Sequence, residues 1–172
     1  MHTNQKLPDL NGNVLWLIPS QPEFSTYASE IKRLSKRFDS TTFTPHLTLA
    51  RLPDDISDEK IVNALSSIMN SREFTFSASH RGVSCHNTPY QNCIQNLSPN
   101  ADLERFQTSL VQALPLTEPK SEFHVSLKYG FTSCKDLHEE IVQLTNDLPA
   151  TVRFDRIRLV ELAGRPGDWI NT

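Results

Sequence analysis

The sequence predicts an α+β fold built from two pseudo-symmetric β-sheet lobes, with helices outside and a central cleft between them. Three observations predict it. Two short apolar runs, Pro45-His46-Leu47-Thr48-Leu49-Ala50 and Phe123-His124-Val125-Ser126-Leu127-Lys128, each place a histidine two residues before a hydroxyl residue. The elements read β-α-β-α-β and then β-α-β-α-β, and the two histidines lie 78 residues apart in a chain of 172, which suggests an internal duplication. Hairpin connections are present, so mixed or antiparallel sheets fit better than a doubly wound parallel one. No stretch of linker composition divides the halves. The chain therefore reads as one bilobal domain over residues 1–172, with residues 1–12 poorly ordered.

Residues 14–18 form an apolar run closed by Pro19 and read as a buried strand. Over 21–38, Phe24, Tyr27, Ala28, Ile31, Leu34 and Phe38 recur at steps of three and four, the spacing of an amphipathic helix, and Pro22 suits its first turn. Residues 41–52 are the first histidine strand, ended by Pro53. Residues 57–69 predict a second helix with a stripe of Ile61, Leu65 and Ile68; Ser57 with Lys60 is a weak start signal. Residues 73–79 alternate Phe74 and Phe76 with small residues, a strand that 81–84 extends. Asn87-Thr88-Pro89 marks a turn, and 90–97 form the return strand. Residues 101–114 are helical, with Leu103, Phe106, Leu110 and Leu114 on one side. Pro115 and Pro119 mark a loop before the second histidine strand at 122–129. A fourth helix follows at 135–144, then a long strand at 151–162. The turn Gly164-Arg165-Pro166-Gly167 returns the chain to Trp169-Ile170.

Seventeen basic and 20 acidic residues give a formal charge of −3. That balance argues against long nucleic acid, whose binding needs a basic surface. It leaves room for a small phosphorylated ligand. The N-terminus has no signal-peptide h-region, and no apolar stretch is long enough to span a bilayer. Cys85, Cys93 and Cys134 are an odd number without secretory context and read as reduced thiols. Cys85 and Cys93 lie symmetrically about Pro89, which sets them across a hairpin from each other. His80, Cys85, His86 and Cys93 match no zinc-ligand spacing, so neither a metal nor another cofactor is expected. His2 and His138 read as surface residues.

In a strand, residues i and i+2 share a face. His46 therefore shares a face with Thr48, and His124 with Ser126. Two imidazoles and two hydroxyls around one cleft suit acid–base chemistry on an anion. An unperturbed histidine pKa of about 6.5 lets one ring be neutral and the other protonated near pH 7. Strict alternation puts Lys128 on the His124 face and Arg51 on the face of Leu47 and Leu49. Both are candidates for anion binding, with a solvated rim charge as the plain reading. One such histidine alone is ordinarily a structural, hydrogen-bonded residue.

With both motifs, each on a strand behind a helix, the sequence resembles the two-histidine (2H) phosphoesterases, a LigT-like fold with one H-x-[ST]-hydrophobic motif per lobe. Strand Val14-Leu15-Trp16-Leu17-Ile18-Pro19, a helix, and then Phe43-Thr44-Pro45-His46 resemble the opening of the plant and fungal cyclic phosphodiesterases, as does His124-Val125-Ser126-Leu127-Lys128-Tyr129-Gly130. The resemblance implies that His46 and His124 are general acid and base and that Thr48 and Ser126 hold phosphate oxygens. It makes Tyr129 a phosphate contact. Alternation puts Tyr129 on the wrong face for this, so a local bend before Gly130 is required. Trp16 and Tyr90 match residues that stack on the nucleobase. The central hairpin, His86-Asn87-Thr88-Pro89-Tyr90, is poorer in phenylalanine than the family's.

The resemblance implies metal-independent hydrolysis of ADP-ribose 1″,2″-cyclic phosphate and nucleoside 2′,3′-cyclic phosphates to 2′-phosphates, by-products of tRNA splicing. The ordering of roles leans to His124 activating water and His46 protonating the leaving oxygen. Two alternatives stay open: an RNA-end or 2′,5′-oligonucleotide phosphodiesterase of the same superfamily, and a nucleotide- or RNA-binding module without turnover. The expected setting is a cytoplasmic monomer acting on a small cyclic-phosphate nucleotide, without membrane insertion. The alternative location is peripheral, on an endomembrane such as the Golgi.

Overall fold

Strand β1 (Leu10–Pro19) is buried on both faces from Val14 onward. Its alternation sends Leu15 and Leu17 into the main core and Val14, Trp16 and Ile18 into a smaller cluster with Val160 and Leu162. The computed structural model describes residues 6–116, 118–119, 122–166 and 169–171. The expectation for His2 lies outside them, as do residues 1–5 of the segment expected to be poorly ordered. Leu10, Asn11 and Gly12 of that segment are already paired with the long strand β7 (Thr151–Gly164).

The remaining elements are α1 (Glu23–Phe38), β2 (Leu47–Arg51), α2 (Asp58–Asn70), β3 (Phe76–Cys85), β4 (Cys93–Pro99), α3 (Ala101–Ala113), β5 (Glu118–Pro119), β6 (Phe123–Lys128), α4 (His138–Asp147) and β8 (Ile170–Asn171). The order is the expected repeated β-α-β-α-β, with two short strands added. β5 pairs with Ala50 and Arg51 of β2; its Pro119 suits an edge strand and disguised it as loop. The first histidine strand is shorter than expected, since residues 41–46 approach it without strand structure. Ser57 caps α2 by accepting from the Lys60 amide, and Asn100 caps α3 by accepting from that of Leu103. His138 is exposed at the start of α4.

The strands are hydrogen-bonded into one antiparallel sheet, ordered β1-β2-β6-β4-β3-β7-β8, and β1 also pairs with β7. The first six strands thus close into a ring, rather than two separate sheets. Exchanging β1 with β4, β2 with β6 and β3 with β7 maps this ring of pairings onto itself. The repeat expected from the sequence is therefore present in the pairing pattern.

Each histidine strand is broken at the same place. On β2, Thr48 pairs with Trp16 and Ala50 with Leu15, so Leu49 is an extra residue. On β6, Ser126 pairs with Ile94 and Lys128 with Cys93, so Leu127 is an extra residue. Such bulges shift the alternation by one residue. They overturn the strict-alternation placement of both basic residues. Lys128 turns away from His124 and is 1% exposed, its Nζ donating to Asn92 Oδ1 (2.9 Å) and the Tyr129 carbonyl (3.0 Å). Burial pushes its pKa down to about 8. Arg51 turns to the other face, into the pocket described below.

The reading of all three cysteines as reduced thiols is also overturned. Cys85 is bonded to Cys134, with their Cα atoms 5.6 Å apart. Cys85 and Cys93 are register partners across the β3–β4 hairpin, as their symmetry about Pro89 suggested. However, the loop after β6 lies against this hairpin: the Gly130 amide donates to the Pro89 carbonyl (2.7 Å) and Asn92 Nδ2 to the Thr132 carbonyl (2.8 Å). That brings Cys134 in. Cys93 remains a buried thiol whose pKa burial raises to about 12. His80 binds Gln95, and His86 binds Ser84.

Candidate active site

The ring of strands presents one pocket of about 140 Å³ that collects the residues expected from the sequence. His46 and Thr48 reach it from β2 and the segment just before it, and His124 and Ser126 from β6. Tyr129 enters just after β6, on the side that the Leu127 bulge gives it. The bend expected before Gly130 is this bulge. Trp16 enters from β1, and Tyr90 from the β3–β4 hairpin.

His46 is held from three directions. Its Nδ1 lies 2.7 Å from the Thr44 carbonyl, so Nδ1 carries the proton and donates it there. Its ring is stacked on Trp16, with centroids 3.6 Å apart and planes 11° from parallel. Phe43 meets its edge at 6.4 Å. The residue is 7% exposed. Burial, with a smaller contribution from charge on His124, pushes its pKa down to about 4 against the pull of the Thr44 carbonyl. His46 is therefore a neutral imidazole near pH 7, and its Nε2 carries the lone pair. His124 sits opposite Asn96 in the β4–β6 pairing.

Ser126 is 5% exposed and donates to the Tyr90 carbonyl at 3.1 Å. That bond ties the hydroxyl to the hairpin carrying Tyr90. The Tyr90 hydroxyl in turn donates to the Pro8 carbonyl. Tyr129 is stacked on Phe43, with centroids 3.7 Å apart. Its burial holds the phenol well above its usual range, so it enters any reaction protonated.

Six rings close a circuit around the pocket: Phe43, His46, Trp16, Trp169, Tyr90, Tyr129 and back to Phe43. Sequence reading did not find the part played by Trp169 or Phe43. The signal for Phe43 was its place three residues before His46. For Trp169 the signal was only the turn expected to return the chain to it, which does not say where its ring lies. Trp16 is 3% exposed, with one ring face against His46, so only part of it is open to a ligand. Leu10, Val14 and Leu162 add apolar lining, and Arg51 and Gln91 complete it.

The arrangement offers a neutral imidazole, a second imidazole, two hydroxyls and a protonated phenol around a space that fits a tetrahedral anion. Among the described residues, no carboxylate lines it. No helix of the described residues is long and apolar enough to cross a membrane.

The family described as cyclic phosphodiesterase-like protein matches residues 11–148. No curated protein matches the chain. Among solved structures, that of Kluyveromyces marxianus Usb1 is similar at a TM-score of 0.45 and 9% sequence identity, over 95% of this chain and 98% of that one.

Proposed function

The chain belongs to the cyclic phosphodiesterase-like family, and from that premise we propose that it hydrolyses nucleoside 2′,3′-cyclic phosphates and ADP-ribose 1″,2″-cyclic phosphate to phosphomonoesters. The observation that carries this reading is the convergence of both His-x-(Thr/Ser) motifs on one pocket. The matching bulges and the self-mapping ring of strands support reading the whole chain as a single bilobal 2H phosphoesterase domain, with the pocket as its central cleft. Consumption of tRNA-splicing by-products is the setting that the resemblance implies, and a cytoplasmic monomer remains our reading of its state.

In this mechanism the cyclic phosphate enters between the two histidines. Thr48 and Ser126 donate to its non-bridging oxygens, Ser126 redirecting its hydroxyl from the Tyr90 carbonyl, and Tyr129 adds a third donor. These donors stabilise the charge that builds on the oxygens as the ring opens. The neutral His46 accepts a proton from water at Nε2, and its imidazolium is steadied by the Nδ1–H bond to the Thr44 carbonyl. His124 delivers a proton to the leaving ring oxygen. This reverses the order of roles toward which the sequence reading leaned, because a ring held neutral by burial is a base before it is an acid. Tyr90 and Trp169, with the open part of Trp16 behind them, form the wall on which a nucleobase stacks.

The test is hydrolysis of nucleoside 2′,3′-cyclic phosphates in EDTA, with the 2′- and 3′-phosphate products resolved. Turnover to the 2′-phosphate is the expected result. Binding of these compounds without turnover would favour a nucleotide-binding module. Turnover only of oligonucleotide ends would favour the larger RNA substrate.

A further inference from the structure

Ala50 and Lys128 occupy matching positions in the two halves. Each is the fourth residue after its motif histidine and the first to resume pairing after its bulge. Ala50 is 0% exposed and Lys128 1%. One half of the repeat thus fills the position with a methyl group of the main core, and the other with an ammonium. The repeat does not itself require a cation there. Among the described residues, no carboxylate forms an ion pair with Lys128. The buried Glu140 of α4 accepts from Arg33 and Arg37 of α1 instead. Lysine is almost never fully buried without a charged partner, and taking its charge out of water opposes folding. What it touches accounts for its place.

Lys128 Nζ lies 5.7 Å from the centre of the Phe38 ring, at the end of α1. It donates to the Tyr129 carbonyl and to Asn92 Oδ1. Asn92 is itself 1% exposed, and its Nδ2 donates to the carbonyls of His86 and Thr132. One ammonium and one amide therefore tie residues 128–132 to the β3–β4 hairpin. Tyr129 is held within that loop. Its side chain lines the pocket, and its phenol interacts with the Ser126 hydroxyl. Ser126 in turn donates to the Tyr90 carbonyl on the hairpin. Between Lys128 and the motif hydroxyl there stands one residue, Tyr129.

We propose that Lys128 is a positioning residue for the reaction: its ammonium, seated between the Tyr129 carbonyl and Asn92, fixes where the Tyr129 phenol meets the phosphate of the ligand. An ammonium suits this task because its hydrogen bonds to the two oxygens are charge-assisted, and stronger than those of a neutral donor. This inference rests on reading the pocket as a cyclic-phosphate site in which Tyr129 is a donor, and its test reads the two separately.

The experiment is a double-mutant cycle of Lys128→Met and Tyr129→Phe. All four proteins are assayed for turnover of adenosine 2′,3′-cyclic phosphate and, by calorimetry, for binding of the unreactive adenosine 2′-monophosphate. In the wild-type background, Lys128→Met is expected to lower kcat/KM about tenfold or more and to weaken binding of the monophosphate. In the Tyr129→Phe background the same change is expected to cost about threefold or less, because the group being positioned is gone. A general loosening of the fold would cost the same in both backgrounds. Lys128→Gln, which keeps N–H donors without the charge, is taken through the same cycle. It is expected to lose less than Lys128→Met, and it keeps the test open if Lys128→Met does not fold. A kcat/KM within about threefold of wild type in the folded Lys128 variants, or losses that multiply in the double variant, overturn the assignment. Turnover without coupling between the two residues leaves the phosphodiesterase reading standing without this inference. Coupling in the binding of the monophosphate, without turnover, does the reverse.

Discussion

The neutral state of His46 follows from its surroundings and fixes what it can do first. Burial against Trp16 and the hydrogen bond to the Thr44 carbonyl leave Nε2 as an acceptor. With its pKa pushed down to about 4, the acid limb of kcat/KM, which reports the free enzyme, is expected to have its midpoint near pH 4. An unperturbed histidine base would place it near about 6.5. A midpoint at or above pH 6 would show that His46 is not the base. Stability carries the same signature. Between about pH 6.5 and pH 4 the unfolded ring binds a proton that the folded one refuses, so stability falls as pH falls through that window. The pairing of His46 with Thr48, and of His124 with Ser126, was legible because residues two apart in a strand share a face. The tautomer and the low pKa were not, because the Thr44 carbonyl and the Trp16 ring come from the irregular segment before β2 and from a neighbouring strand.

At the scale of elements, the two bulges decide which side chains face the pocket. A sequence shows alternation within one strand, whereas a bulge is a property of two strands in register. Arg51 and Lys128 were therefore assigned to each other's faces, and only Tyr129, required at the site by resemblance, revealed that the second strand must bend. The bend is completed at Gly130, whose φ of +125° is in the region that side chains avoid. A Cβ there would sit 3.1 Å from Lys128 Nζ, which anchors the Tyr129 carbonyl. Gly130→Ala is expected to cost about 1–3 kcal/mol, lowering Tm by roughly 2–4 °C for each kcal/mol. It should also lower kcat/KM by displacing Tyr129. Thermal melts and steady-state assays check this, and a variant with wild-type Tm and activity would remove Gly130 from the account. The helices were the most legible elements because their apolar spacing and caps are local. β5 and β8 were not, since two-residue strands exist only through their partners.

For the whole molecule, the repeated pattern of strand pairing sets the site. A ring of strands that maps onto itself brings two copies of one motif to the same pocket from opposite halves of the chain. The repeat was legible from the motif spacing and element order. The closure of the ring through β1 and β7 was not, because it joins the two ends of the described chain. Nor was the Cys85–Cys134 bond, which spans 49 residues and depends on how the loop after β6 meets the hairpin. The central claim is that His46 and His124 act as one unit on one phosphate, and the most direct measurement is kcat/KM on a nucleoside 2′,3′-cyclic phosphate for the wild type, His46→Ala, His124→Ala and the double variant. Each single change is expected to lower kcat/KM by about 10²–10⁴-fold. The double variant is expected to fall well short of the product of the two losses, as it does when residues act together. Activity within about tenfold of wild type in either single variant, or losses that simply multiply, would contradict the account.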